Sequence, residues 1–375
     1  PEMPRRLGAL VLSAAVLWAV FTTAGSSDAV SALRMLEDGL PILLLRQALG
    51  DHGQPWGPAA LAISQSPLLS GGQQAVLELR SREEVDDPAD EPPEVQTPVR
   101  EEPVSPAPPV STPLVQVDNG VPARTLVPND PSEYVVSGLA YVSNASKYAL
   151  TPQELAGDYL HLGQGEPQVL ILHTHGSEAY TMPPGEAYES VGGDCRTTDT
   201  AYNVVRVGDE IAAALAERGI SVVHDRGIYD EPEYSGAYTR SLASAENYME
   251  KYPSIRFILD VHRDAITDSS GTVYKVISET DRGRAAQMTF VMGSSGSGSP
   301  HEAWRDNLRL AAALQNQLLE RYPTLMRPII LRNSRYNQHC TTGSLLVEVG
   351  AAGNSLDEAL VSARLLAEAF ADVVQ

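Results

Sequence analysis

Three apolar stretches run directly into residue types that bind metals or carry protons. Val169–Leu172 opens onto "HTHGSE", with His173, His175 and Glu178. Phe257–Val261 opens onto "HRD", with His262, Arg263 and Asp264, and Glu348 stands alone in the apolar run "LLVEV". The chain has only 8 histidines, so finding His173, His175 and His262 at two strand ends is a concentration, not a scatter. His175-x-x-Glu178, joined far downstream by His262, offers two nitrogens and a carboxylate oxygen. That is the donor set of a hydrolytic zinc site whose fourth position is left to water. Such a metal lowers the pKa of water toward ~7 and polarises the carbonyl under attack. A separate carboxylate must then take the water's proton and pass it to the leaving amine. Glu348 is the candidate, because an acid in that run is costly to bury unless it is paired or used.

Each residue also has a plainer explanation. His175 and Glu178 could satisfy turn backbone, His262 could be an ordinary strand-end histidine, and Glu348 could be paired with Arg332, Arg335 or Arg263. Their shared placement beyond apolar strands favours the metal site. If the pleat continues past Leu172, His173 and His175 point the same way and either could be the first ligand. The His-x-x-Glu pair selects His175 and leaves His173 to packing or to orienting a ligand. Arg263 and Asp264 are candidates to orient ligands or bind a substrate carboxylate, and Arg240 in "YTRS" is a weaker one. Cys195 and Cys340 approach the same face, as a disulfide or as two free thiols. Neither has a local base that would make it a nucleophile.

The elements that must position these residues read as strands at Val169–Leu172, Ile220–Val223, Phe257–Val261, Met288–Met292, Ile329–Leu331 and Leu345–Val349. Helical periods fill the spaces between them: a helix capped by Asp199 and running to Arg218 with Gly219 as its stop, then Ser241–Lys251, Glu302–Arg321 and Leu356–Val373. Alternating strand and helix predict an α/β fold, a largely parallel twisted sheet flanked by helices, over residues 114–375. Ligands in such sheets sit beyond the carboxyl ends of the strands, where the candidate residues lie.

Upstream, composition divides the chain. After Arg5 and Arg6, Leu7 to Gly25 carries no charge over about 19 residues, enough to cross a bilayer as a helix. Residues 1–29 therefore read as a transmembrane anchor with the rest of the chain outside the cytoplasm, and a cleaved secretory signal is the alternative. Pro1 in place of Met suggests that the natural start lies further upstream. Residues 30–80 form a membrane-proximal segment with short apolar stretches. Residues 81–113 are so rich in Pro and acid that they should form a disordered, self-repelling linker. Across 375 residues, 48 acidic against 27 basic side chains give a net charge of −21, which excludes nucleic acid held by its phosphates. Two cysteines exclude a disulfide scaffold and a thiolate-built zinc site.

At these same residues the chain resembles a known family. "VLILHTHGSEAYT", "NVVRVGDEIAAALAERGISVVHD", "YMEKYPSIRFILDVHRDA" and "YNQHCTTGSLLVEVGAAGNSLDEA" follow one another in the order seen in the stage II sporulation protein P family. The resemblance runs over about residues 135–375, and the anchor and spacer agree with that family's layout. It implies an amidase-like zinc hydrolase fold and a zinc-dependent peptidoglycan hydrolase, related to N-acetylmuramoyl-L-alanine amidases, cutting the amide between the lactyl group and the first stem residue. Some members also cut peptide cross-links. It further implies work in engulfment during endospore formation, with stage II sporulation proteins D and M as partners. By the same resemblance the Zn2+ positions fall on His175, Glu178 and His262 and the catalytic glutamate on Glu348. In the broader amidase class the metal-binding glutamate lies further downstream, where this chain has Asn203 and neighbouring Asp199. Two other functions compete. A zinc carboxypeptidase or endopeptidase on wall peptides would need a cationic clamp such as Arg263 or Arg240, and a catalytically silent wall-binding module would need no base.

Overall fold

A computed structural model describes residues 116–192 and 195–375. The expected anchor, membrane-proximal segment and linker lie outside them. The single-pass membrane address is corrected: among the described residues no helix is long and apolar enough to cross a membrane.

The centre is an eight-stranded sheet. Its strands in chain order are β2 (Val135–Ser137), β3 (Ala140–Asn144), β4 (Val169–Leu172), β5 (Val222–His224), β6 (Phe257–Asp264), β9 (Met288–Met292), β10 (Ile329–Leu331) and β11 (Gly343–Ala351). In space they follow the order β2-β3-β10-β9-β11-β6-β4-β5. β5, β4, β6 and β11 run parallel. β9 then lies antiparallel to β11, and β10 and β3 follow the direction of β9. The sheet is therefore mixed, two parallel blocks facing opposite ways with β2 antiparallel to β3 at the edge, where one largely parallel sheet was expected. Periodicity reports that a strand is buried, not which way it runs. A second sheet joins β1 (Ala123–Arg124), β7 (Lys275–Thr280) and β8 (Gly283–Ala286), which apolar runs did not reveal.

Among the described residues, five helices flank the strands: α1 (Pro152–Leu155), α2 (Val204–Glu217), α3 (Ala237–Lys251), α4 (Trp304–Arg321) and α5 (Leu356–Val374). α2 starts at Val204 because Asn203, not Asp199, caps it by accepting from Val205 N at 3.0 Å. Gly219, at φ +77°, ends it in a conformation that a Cβ disfavours. α5 begins with a reciprocal cap, Ser355 Oγ accepting from Glu358 N and Glu358 Oε2 accepting from Ser355 N.

Alternation along the strands sorts the core. Val169, Ile171, Phe257, Leu259, Val261, Leu345 and Val347 join the side chains of α2, α4 and α5 in the larger cluster, where Phe257 meets Phe370 edge-on at 5.2 Å. Leu170, Leu172 and Ile258 point the other way, toward α3. Each large side chain so enclosed is worth roughly 1.5–3 kcal/mol of transfer free energy. β4 is followed by β5 on one flank, and the chain then returns to lay β6 on the other. The strand order thus switches between β4 and β6, and the carboxyl ends of these strands are where such a sheet places a ligand.

Candidate active site

β4 ends at Leu172, and the turn beyond it decides which way the histidines face. Thr174 is pinned to Asp260 of β6: its backbone N donates to Oδ1 at 2.8 Å and its hydroxyl to Oδ2 at 2.7 Å. Gly176 then passes so close to the next loop that a Cβ would lie 3.0 Å from Gly227 O and Ile228 Cα. This turn breaks the pleat, so His173 and His175 part company. His173 stays on the α2 side, fully buried, with Nδ1 3.0 Å from Val261 O and Nε2 2.8 Å from His224 Nε2. Burial, helped by His224, lowers its pKa to about 3. It braces the strand next to His262 and is not turned toward the site.

His175 packs on the opposite face, its ring 5.2 Å from that of His262. Glu178 joins them, because Ser177–Ala179 runs beside Cys195–Thr197, with Thr197 N donating to Ser177 O and Ala179 N to Cys195 O at 2.8 Å each. Its Oε2 accepts from Arg263 N at 3.1 Å and lies 3.4 Å from His262 Nδ1. All three side chains are buried, at 7%, 6% and 3% exposure for His175, Glu178 and His262. Glu348 stands opposite His262 in the β11–β6 register, just before a bulge that includes Gly350 at φ +73°. Tyr180 Oη, donating to Val349 O at 2.9 Å, fixes that corner.

The charges follow from this geometry. Burial opposes ionisation of Glu178, yet its hydrogen bond with His262 and the nearby Arg263 hold its carboxyl well below the usual range. Burial also opposes charge on His262, but Asp260 and Glu178 on either side raise its pKa well above normal. Burial lowers His175 to about 4, leaving it neutral. Glu348 moves the other way: burial first, then Asp264 and Glu178, push it up to about 8. Its Oε2 is enclosed without a hydrogen-bond partner, so the ion pair with Arg332, Arg335 or Arg263 is not formed.

Among the described residues no three His, Cys, Asp or Glu side chains form a ready-made ion cage. The donor set nevertheless fits zinc. Two ligand atoms ~2.0–2.1 Å from a tetrahedral zinc lie roughly 3.3 Å apart, close to the separation of Glu178 Oε2 and His262 Nδ1. His175 Nδ1 is buried with no partner. Asp260 Oδ1 lies 2.9 Å from His262 Nε2, an ion-pair contact whose angle is not that of a hydrogen bond but which places a carboxylate behind the imidazole. Binding would displace the proton that His262 holds.

Several expected roles change. Arg263 is 7% exposed and spends its donors on Ala179 O at 3.0 Å and Cys195 O at 2.9 Å, binding two loops together. Arg240 Nε donates to Tyr229 O at 2.8 Å, holding the loop before α3. Asp264 pairs with Arg327 at 2.7 Å. These arginines are thus engaged within the fold and do not form a clamp for a peptide carboxylate. Asn203 is occupied as a cap and by Thr197 O, and Asp199 Oδ1 accepts from Ala201 N. Cys195 and Cys340 are free thiols.

Four contributors escaped the sequence reading: Asp260, Asp230, Arg196 and Tyr234. Asp260 had a signal, since it lies two residues before His262 and so shares its strand face. The others had none. Asp230, 3% exposed, accepts from Ser177 N at 3.0 Å, Ser177 Oγ at 2.6 Å and Arg196 Nη1 at 2.7 Å, and Arg196 Nη2 comes within 3.6 Å of Glu178 Oε1.

The family described as Stage II sporulation protein P matches residues 100–371. The stage II sporulation protein P of Bacillus subtilis (strain 168) is 25% identical over 239 residues, 59% of this chain and 53% of that protein. The chain thus spans about half the length of the curated relative that it matches. Among solved structures, the N-acetylmuramoyl-L-alanine amidase AmiC2 of Nostoc punctiforme is 16% identical, over 56% of this chain and 97% of its own, with a TM-score of 0.31. An N-acetylmuramoyl-L-alanine amidase of Clostridium difficile 630 is 14% identical, over 56% and 96%, with a TM-score of 0.33.

Proposed function

We propose a function from one premise: the chain belongs to the stage II sporulation protein P family. On that premise the protein is a zinc-dependent peptidoglycan hydrolase that cuts the amide between the lactyl group of the glycan and the first stem-peptide residue. The observation that carries this is the meeting of His175, Glu178 and His262 beyond β4 and β6, with Glu348 in register beside His262. Zinc, held by His175, Glu178 and His262, would supply a Lewis acid for the amide carbonyl and acidify water. Glu348 as carboxylate takes a proton from the water that attacks the carbonyl carbon. It returns that proton to the stem nitrogen as the C–N bond breaks. A carboxyl raised to about 8 exchanges its proton near neutral pH, which suits a group that must accept and return one. Asp260 holds His262 in orientation, and Arg263 N and Arg196 hold Glu178. The family premise extends the proposal to spore engulfment, with cleavage of peptide cross-links as a further activity and stage II sporulation proteins D and M as partners.

The test uses the full chain. Wild type should bind about one zinc, and His175→Ala and His262→Ala should each lose it. Glu348→Gln should keep zinc and lose roughly 10²-fold or more in activity. Mass spectrometry of digested wall should show free stem peptides beside intact glycan strands. Shortened stems would mean a peptidase instead, and stoichiometric zinc in both histidine variants would remove the site.

A further inference from the structure

Residues 116–126 form a strap along the second sheet. Gln116 Oε1 accepts from Arg284 N at 2.9 Å, Pro122 O accepts from Lys275 N at 3.0 Å, and Leu126 N donates to Gln287 Oε1 at 2.7 Å. Within the strap Asn119 is 7% exposed, and the neighbouring Lys275 is 2% exposed. Polar side chains so enclosed are costly unless their hydrogen bonds are made. Lys275 Nζ lies 2.8 Å from Asp118 Oδ1 and 3.4 Å from Glu358 Oε1. Asn119 Oδ1 accepts from Lys275 Nζ at 3.1 Å and from Val121 N at 3.2 Å, and its Nδ2 donates to Gly353 O at 3.0 Å and Thr181 O at 3.3 Å. Two donors and two acceptor sites are the whole capacity of a carboxamide, and all four are in use. The two carbonyls gripped by Nδ2 belong to separate parts of the site. Thr181 lies three residues past Glu178, and Gly353 five past Glu348.

We propose that Asn119 is a positioning residue, a clamp from the strap that ties the segment carrying Glu178 to the end of β11 and so sets Glu178 against Glu348. This rests on the function proposed above. β11 is fixed in the sheet as far as Ala351, with Glu348 inside it, whereas Glu178 lies outside the named strands, in a segment joined to Arg196 and Asn203 only by isolated bridges. Thr181 brings that segment to β11, its N donating to Ala352 O at 3.0 Å and its Oγ1 to the same oxygen at 2.8 Å. Asn119 closes the junction with one N–H on each side. An apolar side chain could fill the same space but could hold neither carbonyl. Misplacing a reacting group by about 1 Å can cost about 100-fold in rate, so a carboxylate carried outside the sheet needs such a tie.

Asn119→Asp keeps the size of the side chain and its acceptor toward Lys275 and Val121 N, and replaces Nδ2 by an oxygen that faces two carbonyls. Asp118→Ala is the control, since it removes only an exposed partner of Lys275. With a soluble glycan–peptide fragment as substrate, kcat of the full-length Asn119→Asp variant should fall about 10- to 100-fold while KM stays within about 3-fold of wild type. Asp118→Ala should match wild type in both. In the metal-free protein, hydrogen exchange at Thr181 N–H should quicken about 10-fold or more in Asn119→Asp, while the amides of β4 and β6 exchange as in wild type. Wild-type kcat, or unchanged exchange at Thr181, overturns the proposal while the proposed function stands. Exchange in β4 and β6 that quickens by the same factor as at Thr181 also overturns it, because Asn119 would then serve stability alone. Should Asn119→Asp not fold, Asn119→Ala, measured below its melting temperature, is held to the same outcomes. Wild type that cleaves no amide removes the proposed function and this proposal together.

Discussion

Glu348→Gln is the perturbation with the clearest thermodynamic signature, because the structure gives this carboxyl a reason to hold its proton. It begins near 4.5 in the unfolded chain and is pushed to about 8 in the fold, by burial first and then by Asp264 and Glu178, against His262 and Arg327. Below 4.5 the group is protonated in both states, so its stabilising contribution is fully present. As pH rises toward 8 the unfolded chain gives up the proton and the folded chain keeps it, so that contribution is lost. A shift of this size corresponds to a ceiling of about 5 kcal/mol. The residue is partly open to solvent although Oε2 is enclosed, which brings the expected effect down to about 2–3 kcal/mol. Glutamine has the same shape and cannot ionise. Urea unfolding of the metal-free protein should therefore find wild type and Glu348→Gln about equal at pH 5, with the variant about 2–3 kcal/mol more stable at pH 8. A gap that changes by less than about 0.5 kcal/mol between those pH values would refute the claim that burial keeps this acid protonated.

Two further predictions concern the supports of the site. Asp230→Ala leaves Ser177 N, Ser177 Oγ and Arg196 Nη1 without their common acceptor and should cost about 3 kcal/mol in denaturant unfolding, with a parallel loss of zinc affinity. Gly208→Ala would bring a Cβ to 2.6 Å from His224 Nε2 and 2.7 Å from His173 Nε2. Although alanine favours a helix by ~1 kcal/mol, the displaced imidazoles should make the variant about 1–3 kcal/mol less stable, and a gain in melting temperature would show that the pair can move freely.

The chemistry-bearing residues were legible because apolar strands announce themselves by type and the residues just beyond them lie at one edge of the sheet. His175, Glu178, His262 and Glu348 were singled out that way, and the fold brings them together; β4, β9 and β10 were placed to the residue. Other features depend on contacts between distant parts of the chain. Nothing local says that β9 lies antiparallel to β11, since a buried strand has the same pattern in either direction. Continued alternation would have aimed His173 and His175 alike, and only the tie of Thr174 to Asp260, with the close pass of Gly176 against Gly227, turns His175 to the other face. The arginines expected to grip a peptide carboxylate are claimed by loop carbonyls that sequence does not place near them. Side-chain type and spacing fixed which groups could react. Packing and hydrogen bonds between separated segments fixed which way they face, which are protonated and which are already taken.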